Sequence, residues 1–320
     1  MRVLVTGGTG YLGASIVRTL HARGHTAVVF ARRATAAALP GVPHDGDIRD
    51  RRALHLAASG VDAVVHAAAL VSLWRPVRQE FDDVNVGGLL NALDVTRTRG
   101  IARFVYTSSF LALPPAGAGT ALEANDYQRT KVKALEIARA AAAAAVPIVT
   151  MFPGVVYGPG PPTEGNLVGR LIRDHLRGRL PGLIGADLPW SYSFVDDVAA
   201  AHVEVLERRN AHGEYIVGGE NVPQMRVFEI LRELTGSPLP RRIPFMAASV
   251  AGAVDDLRAA WFGRTPMVTR ATVEIFRHDW SLNSGRSAVE LNYHITPVKT
   301  GLQRILEDEC RDLPRAAGPL

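Results

Sequence analysis

Met1-Arg-Val-Leu-Val-Thr-Gly-Gly-Thr-Gly-Tyr-Leu-Gly13 opens the chain. The first six residues read as a short apolar strand. A glycine-rich turn follows, and a helical pattern begins at once behind it. In that order the three elements make a cradle for the pyrophosphate of a dinucleotide. The glycines allow a tight turn and a close approach of backbone to phosphate, and the helix start offers free N–H groups and a positive dipole end. Glycines in this spacing carry little weight alone; the strand before them and the helix after them supply the context. Gly7, Thr9, Gly10, Tyr11, Leu12 and Gly13 are therefore the first cofactor-binding candidates, against the plain alternative of a turn without a ligand.

Strand and helix signals alternate through the first half of the chain. Strands are expected at 3–6, 27–31, 63–67, 104–107 and 148–152, with helices over 12–23, 50–58, 79–99 and 127–145. Repeated βαβ units imply an α/β fold with a doubly wound parallel sheet. The alanine run 140–145 reads as a helix end stopped by Pro147. The stretch 153–162, dense in Gly and Pro, reads as a loop from which the chain leaves the sheet to build a smaller lobe. A return is expected through a strand at 192–195, a helix at 196–208 and a strand at 214–217. Helices near 225–235, 246–262 and 269–277 complete the small lobe. The expected division is 1–153 with 190–218 as the dinucleotide-binding domain, and 154–189 with 219–320 as the C-terminal substrate lobe. The active site then lies in the cleft at the C-terminal strand ends.

The 320 residues suffice for a proper core, and 47% hydrophobic with 21% charged residues is ordinary globular composition. No long uncharged apolar run suggests a membrane span, and the strand-like start does not read as a signal peptide. Cys310 is the single cysteine, which excludes an internal disulfide and a cysteine-based metal cluster. No metal site is expected. A reducing, cytoplasmic setting is the default. The net charge is +5, but basic residues are scattered, so nucleic acid is not an expected partner. The apolar stretch 245–262, interrupted by Asp255, Asp256 and Arg258, reads as an amphipathic helix over the pocket, with a helix touching a membrane surface as the alternative.

Tyr127-Gln-Arg-Thr-Lys131 is the second strong signal. Residues four apart share a helix face, so an ammonium there can stabilise a tyrosinate. A phenol acting near neutral pH needs its pKa lowered by about 3 units, or roughly 4 kcal/mol. The chain holds only three lysines, which makes Lys131 at this spacing more noteworthy, although a surface helix pair is the bland alternative. Thr107-Ser108-Ser109 ends the strand at 104–107, and a hydroxyl there can hold a substrate oxygen for proton transfer. Ser109 is preferred over Ser108. The second strand ends in Ala31-Arg32-Arg33 with no carboxylate for a ribose 2′-hydroxyl. The two arginines suit a 2′-phosphate, so NADP(H) is favoured, with NAD(H) as the alternative. Leu70, Val71, Trp74, Phe110, Leu111, Leu113, Trp190 and Tyr192 are candidates for an apolar pocket, each equally readable as core. His66 reads as a strand-end residue, and Asp196-Asp197 as caps of the helix that follows.

On these residues the chain resembles the extended short-chain dehydrogenase/reductases, the NAD-dependent epimerase/dehydratase group, over nearly its whole length. The resemblance implies a Rossmann fold and assigns Ser109, Tyr127 and Lys131 as the catalytic triad. It places Asp47-Ile48 at the adenine and Ala67-Ala68-Ala69 after His66 under the ribose and pyrophosphate. Pro153, Val155 and Val156 fall beside the nicotinamide, Lys131 on its ribose, and Asn85 in a structural role. Asn166, at the start of a helix, reads as an N-cap, but sugar-nucleotide members hold a diphosphate near that position, so it joins the pocket candidates. Within the family the nearest likeness is to farnesol dehydrogenase-like and dihydroflavonol-reductase-like members, through Ala67-Ala-Ala-Leu-Val71 with Trp74, Tyr106-Thr-Ser-Ser-Phe110 and Arg277-His-Asp-Trp280. The separation of only 18 residues between Ser109 and Tyr127 departs from most relatives. The implied activity is hydride transfer between a nicotinamide and a small-molecule lipophilic alcohol, ketone or aldehyde. A nucleotide-sugar 4-epimerase with retained NAD and a non-catalytic dinucleotide sensor are the rival readings. The helices at 79–99 and 127–145 resemble those of the family's dimer interface, so a homodimer is expected.

Overall fold

The computed structural model describes residues 1–312 apart from Pro162, Arg264 and Met267. In chain order the strands are β1 (Arg2–Thr6), β2 (Thr26–Ala31), β3 (Val42–Asp45), β4 (Ala63–His66), β5 (Arg103–Thr107), β6 (Ile148–Pro153), β7 (Val155–Tyr157), β8 (Leu183–Ile184), β9 (Pro189–Phe194), β10 (Gly213–Val217), β11 (Glu220–Pro223) and β12 (Arg242–Ile243). The helices are α1 (Tyr11–Ala22), α2 (Arg51–Ala57), α3 (Gln79–Phe81), α4 (Gly88–Thr98), α5 (Asp126–Ala143), α6 (Leu167–Leu176), α7 (Val195–Glu207), α8 (Gln224–Thr235), α9 (Phe245–Phe262), α10 (Arg270–Ile275), α11 (Gly285–Leu291) and α12 (Val298–Asp312).

Seven strands form one sheet in the order β10-β6-β5-β4-β1-β2-β3, every pair parallel. Strand alternation splits its side chains between two cores. Val3 and Val5 join Ile16 of α1 and Val198 of α7 on one face, while Leu4 and Val28 join Leu89 of α4 and Ala134 of α5 on the other. The chain runs outward from β1 in both directions, through β2 and through β4. The order reverses there, and a crevice opens at the C-terminal ends of those strands.

The alternating pattern of the first half is thus the Rossmann sheet expected from sequence, with one strand more. β3 is Val-Pro-His-Asp, mostly exposed at the sheet edge. An edge strand needs no apolar alternation and tolerates proline, so it carries no sequence signal. Four expectations are corrected. Residues 155–157, read as loop, form β7, which pairs with β9 in a second sheet of order β11-β9-β7. β9 therefore pairs outside the main sheet, and the chain rejoins that sheet at β10, after α7, instead of through a strand at 192–195. Asp196 and Asp197 do not cap α7, which has no side-chain cap. Asp196 accepts a bond from Ser15 Oγ at 2.8 Å, and Asp197 accepts from the N–H and hydroxyl of Thr296 at 2.7 and 3.0 Å. Finally, residues assigned to the small lobe return to the large one, since α11 lays Leu291 into the first core and Ser287 Oγ donates to the Ile216 carbonyl at 2.5 Å.

The small lobe has its own apolar core, in which Tyr157, Trp190, Phe194, Phe228, Trp280 and Leu302 meet. α9 forms as read, but it packs on α10 with only a small buried face including Ala248 and Ala259. Its large apolar residues point outward, so the helix does not turn them over the pocket.

The glycine turn fixes where α1 starts. A Cβ on Gly13 would stand 2.2 Å from the Gly7 carbonyl oxygen, and Gly7, at φ +68°, would meet Ala68 Cα at 2.7 Å. Gly13→Ala must push α1 off the turn. It should cost about 1–3 kcal/mol of stability by overpacking and weaken dinucleotide binding at least ~10-fold through the displaced helix start. Gly119→Ala, where nothing lies within 4 Å, should change neither. Thermal melts with and without NADPH check both.

Candidate active site

The crevice at the end of β1 holds a cavity of about 680 Å³ lined by Gly7, Thr9, Gly10, Ala31, Arg32, Arg33, Asp47, Ile48, Ala67, Ala68 and Ala69 among others. Ten of the residues singled out for a cofactor thus converge on one space. Gly10, which precedes α1, offers no side-chain cap, and the first turn carries no acid. The N–H groups of that turn are left for a ligand, with a positive dipole end behind them. A dinucleotide fits these donors: a glycine cradle too tight for a Cβ, an uncapped helix start, and arginines at the far end.

The structure adds Phe30, Gly46, Arg49, Leu70, Glu80 and Val84 to this lining. Arg49 is the informative omission. Its guanidinium forks onto Asp47 at 2.9 and 2.7 Å, and its own N–H donates to the same carboxylate. That pairing holds the Asp47 carboxyl below its ordinary range, with Arg32 adding a smaller push. The sequence signal was the Asp-x-Arg spacing, legible as an Asx turn but not as a groove contact.

Tyr11, Leu12 and Gly13 form the first turn of α1 and are not among the residues lining the cavity. The Tyr11 ring lies beneath the loop bearing Gly158 and Gly160, whose added Cβ atoms would touch it, and burial raises its phenol pKa. Pro153, Val155 and Val156 lie at the end of β6 and in β7, beyond the cavity wall.

The second half of the site is built on α5. Asn125 caps it, accepting from Gln128 N–H at 2.8 Å, and Gln128 reaches back to Ala124 N–H at 3.1 Å. The reciprocal bonds fix the first turn. Gln128 Nε2 also donates to the Leu111 carbonyl at 3.2 Å, which ties the turn bearing Tyr127 to the segment bearing Ser109. From the other side comes Asn85, buried in a π-helical turn, Asp82–Gly87. Its amide accepts from Leu70 N–H at 2.7 Å and donates to Thr130 Oγ1 at 3.0 Å. One side chain thereby links the cofactor wall after β4 to α5, a use consistent with π-turns at functional sites.

Lys131 is only 3% exposed. Its Nζ donates to the Thr107 carbonyl at 3.0 Å and lies 5.2 Å from the centre of the Tyr106 ring. Desolvation lowers its pKa to about 7. The Tyr127 phenol is raised by burial, and the Ser109 hydroxyl opposes that rise. The expected lowering of the phenol by the lysine is absent in the chain alone, because burial acts on both groups and favours both neutral forms. Ser109 faces Tyr127 and accepts from Leu111 N–H at 3.2 Å. Ser108 lies on the Tyr106 side of the strand end. His66 is buried, bonded to Thr6 Oγ1 at 2.9 Å, and lowered to about 3 by desolvation and by Lys131. It is a structural strand-end residue, and among the described residues no group of His, Cys, Asp and Glu is arranged to hold a metal.

Beyond Ser109 lies an aromatic core cluster, in which Phe110, Trp190 and Trp280 are only 7%, 5% and 1% exposed. Phe110 meets Trp280 and Trp190 edge-on at 5.3 and 6.0 Å between ring centres. Leu111 and Tyr192 belong to the same cluster, and Leu113 packs instead near Phe152. Trp280, far from Phe110 in sequence, was not read as part of this cluster. The Trp190 Nε1 is buried without a partner. Val71 and Trp74 lie on the segment after β4, and Arg75 ties that segment to Glu164 at 2.7 Å. Asn166 is an N-cap: its Oδ1 accepts from Gly169 N–H at 3.0 Å, and the residue is buried. With its side chain so used, it is corrected from the pocket candidates.

The family of NAD dependent epimerases/dehydratases matches residues 3–218. The chain is 33% identical to sterol demethylase protein B of Methylococcus capsulatus over 318 residues, covering 94% of this chain and 95% of that protein. It is 30% identical to a putative dihydroflavonol 4-reductase of Synechocystis, covering 93% and 91%. Among solved structures, gox2253 superposes with a TM-score of 0.79 at 26% identity, covering 97% and 98%. The chain belongs to the NAD-dependent epimerase/dehydratase family, the extended short-chain dehydrogenase/reductases, and is a nicotinamide-dependent enzyme.

Proposed function

We propose that this protein is an NADP(H)-linked reductase, or in reverse a dehydrogenase, of a lipophilic carbonyl compound. The reading rests on the aromatic cluster of Phe110, Trp190 and Trp280, packed in the core directly behind Ser109. Rings and aliphatic side chains at the reacting end suit an apolar substrate, not a sugar nucleotide. Two relatives, sterol demethylase protein B and a putative dihydroflavonol 4-reductase, are named for a sterol and a dihydroflavonol, which supports a lipophilic substrate here. At the other end of the crevice, Arg32, Arg33 and Arg49 line the cavity, and no carboxylate follows Ala31 to hold a ribose 2′-hydroxyl. That arrangement favours a 2′-phosphate.

The bound dinucleotide would supply a hydride at nicotinamide C4. Tyr127 gives its phenolic proton to the substrate oxygen during reduction and takes one during oxidation. Ser109 hydrogen-bonds the same oxygen and orients it. Lys131 keeps one N–H on the Thr107 carbonyl, which leaves others for ribose hydroxyls. A charged Lys131 would in turn favour a tyrosinate at Tyr127.

Absorbance at the nicotinamide band, with NADPH or NADH and a panel of sterol ketones, long-chain aldehydes and aryl ketones, tests the reading. Turnover is expected, and Tyr127→Phe should lower kcat by about 10²–10⁴ while NADPH binding persists. UDP-glucose epimerised without net cofactor turnover would overturn it. Replacing both Arg32 and Arg33 by Ala should raise the KM for NADPH at least ~10-fold and leave that for NADH nearly unchanged.

Lys131 also predicts a pH signature in stability. Its pKa falls from 10.5 to about 7 on folding, so between those values the unfolded chain holds the extra proton. The burial penalty is fully present below pH 7, and stability rises with pH through the window. Lys131→Met removes that penalty. Its gain in Tm over the parent, without dinucleotide, should be largest below pH 7 and shrink toward pH 10. A constant offset across that range would contradict the buried, depressed lysine.

A further inference from the structure

His202 is fully buried on α7, and the reaction proposed above does not use it. Its Nδ1 lies 2.7 Å from the Val198 carbonyl, one turn earlier in the same helix. A carbonyl can only accept, so Nδ1 carries the proton, and the neutral ring leaves Nε2 as an acceptor. Desolvation lowers the ring pKa to about 4, so it stays neutral near pH 7. Nε2 accepts from Thr107 Oγ1 at 3.0 Å. Helix α7 thus orients the ring, and the ring's one lone pair is spent on the last residue of β5.

Thr107 is also where Lys131 ends. The peptide unit joining Thr107 to Ser108 donates its N–H to the Met151 carbonyl of β6 at 2.8 Å. In a planar trans peptide the carbonyl points the opposite way, here toward β4. That strand stops at His66, which pairs with Tyr106. The Thr107 carbonyl therefore outruns its neighbour by one residue, and Lys131 Nζ takes the place of a strand N–H at 3.0 Å. Among the described residues this carbonyl is the one hydrogen-bond acceptor of Nζ. Two residues on stands Ser109, which faces Tyr127.

The two grips come from opposite sides of the sheet. α7 packs in the core that holds α1, and α5 in the core that holds α4. One strand-end residue is held through its side chain from one face and through its carbonyl from the other. We propose that His202 is a positioning residue for proton transfer: its bond to the Thr107 hydroxyl fixes the Thr107–Ser108 peptide, and through that peptide the Lys131 ammonium and the Ser109 hydroxyl. His202 acts only through Thr107, and its role rests on those proposed above for Tyr127, Lys131 and Ser109. Filling the space does not require a histidine; an apolar side chain fills it too, but gives Thr107 no acceptor.

The chain holds three lysines, so protein made with isotope-labelled lysine gives three Cε signals by NMR, and Lys131→Met assigns one of them. Thr107→Val removes the hydroxyl and keeps the carbonyl. His202→Leu removes the acceptor, and His202→Gln restores one in its amide oxygen. In protein free of dinucleotide, the Lys131 signal should move in Thr107→Val and His202→Leu and return toward its place in His202→Gln. The Lys133 and Lys299 signals should stay put, which shows that the fold persists. With a carbonyl compound that the parent reduces, kcat should fall at least ~10-fold in Thr107→Val and His202→Leu, the KM for NADPH should change much less, and His202→Gln should recover most of the loss. The double variant should lose no more than the worse single one, since both break the same bond. An unmoved Lys131 signal, an unchanged kcat in Thr107→Val, or a His202→Gln no better than His202→Leu would overturn the proposal. If His202→Leu does not fold, Thr107→Val decides by the same two readings. If the parent reduces nothing in the panel, the reductase reading fails, while the Lys131 signal still decides whether His202 governs the lysine.

Discussion

A buried ammonium on the last carbonyl of a central strand is the contact on which the site depends. Lys131 reaches from α5 to the Thr107 carbonyl, and its side chain is buried. A group so placed is costly unless its neighbours keep it useful. Three further devices hold the same joint. Thr107 Oγ1 bonds His202 Nε2 at 3.0 Å, while the other ring nitrogen donates to the Val198 carbonyl at 2.7 Å, which sets the tautomer. Asn85 ties α5 to the segment after β4, and Gln128 ties it to Leu111. Together these place one helical turn against two strand ends, so Tyr127, Ser109 and the cavity wall after β4 are positioned by the same few bonds.

The two ends of the crevice follow different physics. The adenosine end is built from glycine backbone, a helix start and arginines, and it selects for charge. Behind the segment that bears Ser109 the packing is built from rings. The small lobe's core is continuous with that packing, since Phe110 belongs to the cluster that contains Trp190, Trp280 and Leu302. Packing that stabilises the lobe therefore also shapes the place where a substrate would lie.

Much of this was legible in the chain because it is local. Gly7 through Gly13, the Tyr127–Lys131 spacing and the alternating apolar strands each declare themselves within a few residues. What was missed depends on tertiary partners. β3 has no apolar pattern because it lies at an edge, and β7 hides behind Gly154, whose purpose is close approach to β9: a Cβ there would stand 2.4 Å from the Ser191 carbonyl oxygen. Asp196 and Asp197 have the sequence of caps, but their side chains found Ser15 and Thr296 from distant elements. Asn166 went the other way, since a local bond was available and it took that one. Arg49 and Trp280 reach the site only through the fold. The outward apolar side chains of α9 were visible as an apolar stretch, yet which side they would face depended on the small residues that pack against α10.

The account's central claim is direct hydride delivery to an apolar carbonyl held at Tyr127. Isotope transfer tests it most directly, with NADPH deuterated at nicotinamide C4, separately on each face, and a turned-over lipophilic ketone or aldehyde analysed by mass spectrometry. The account predicts one deuterium on the product carbinol carbon from one of the two faces, with almost none formed by Tyr127→Phe. Product without deuterium from either face, or equal product from Tyr127→Phe, would contradict it.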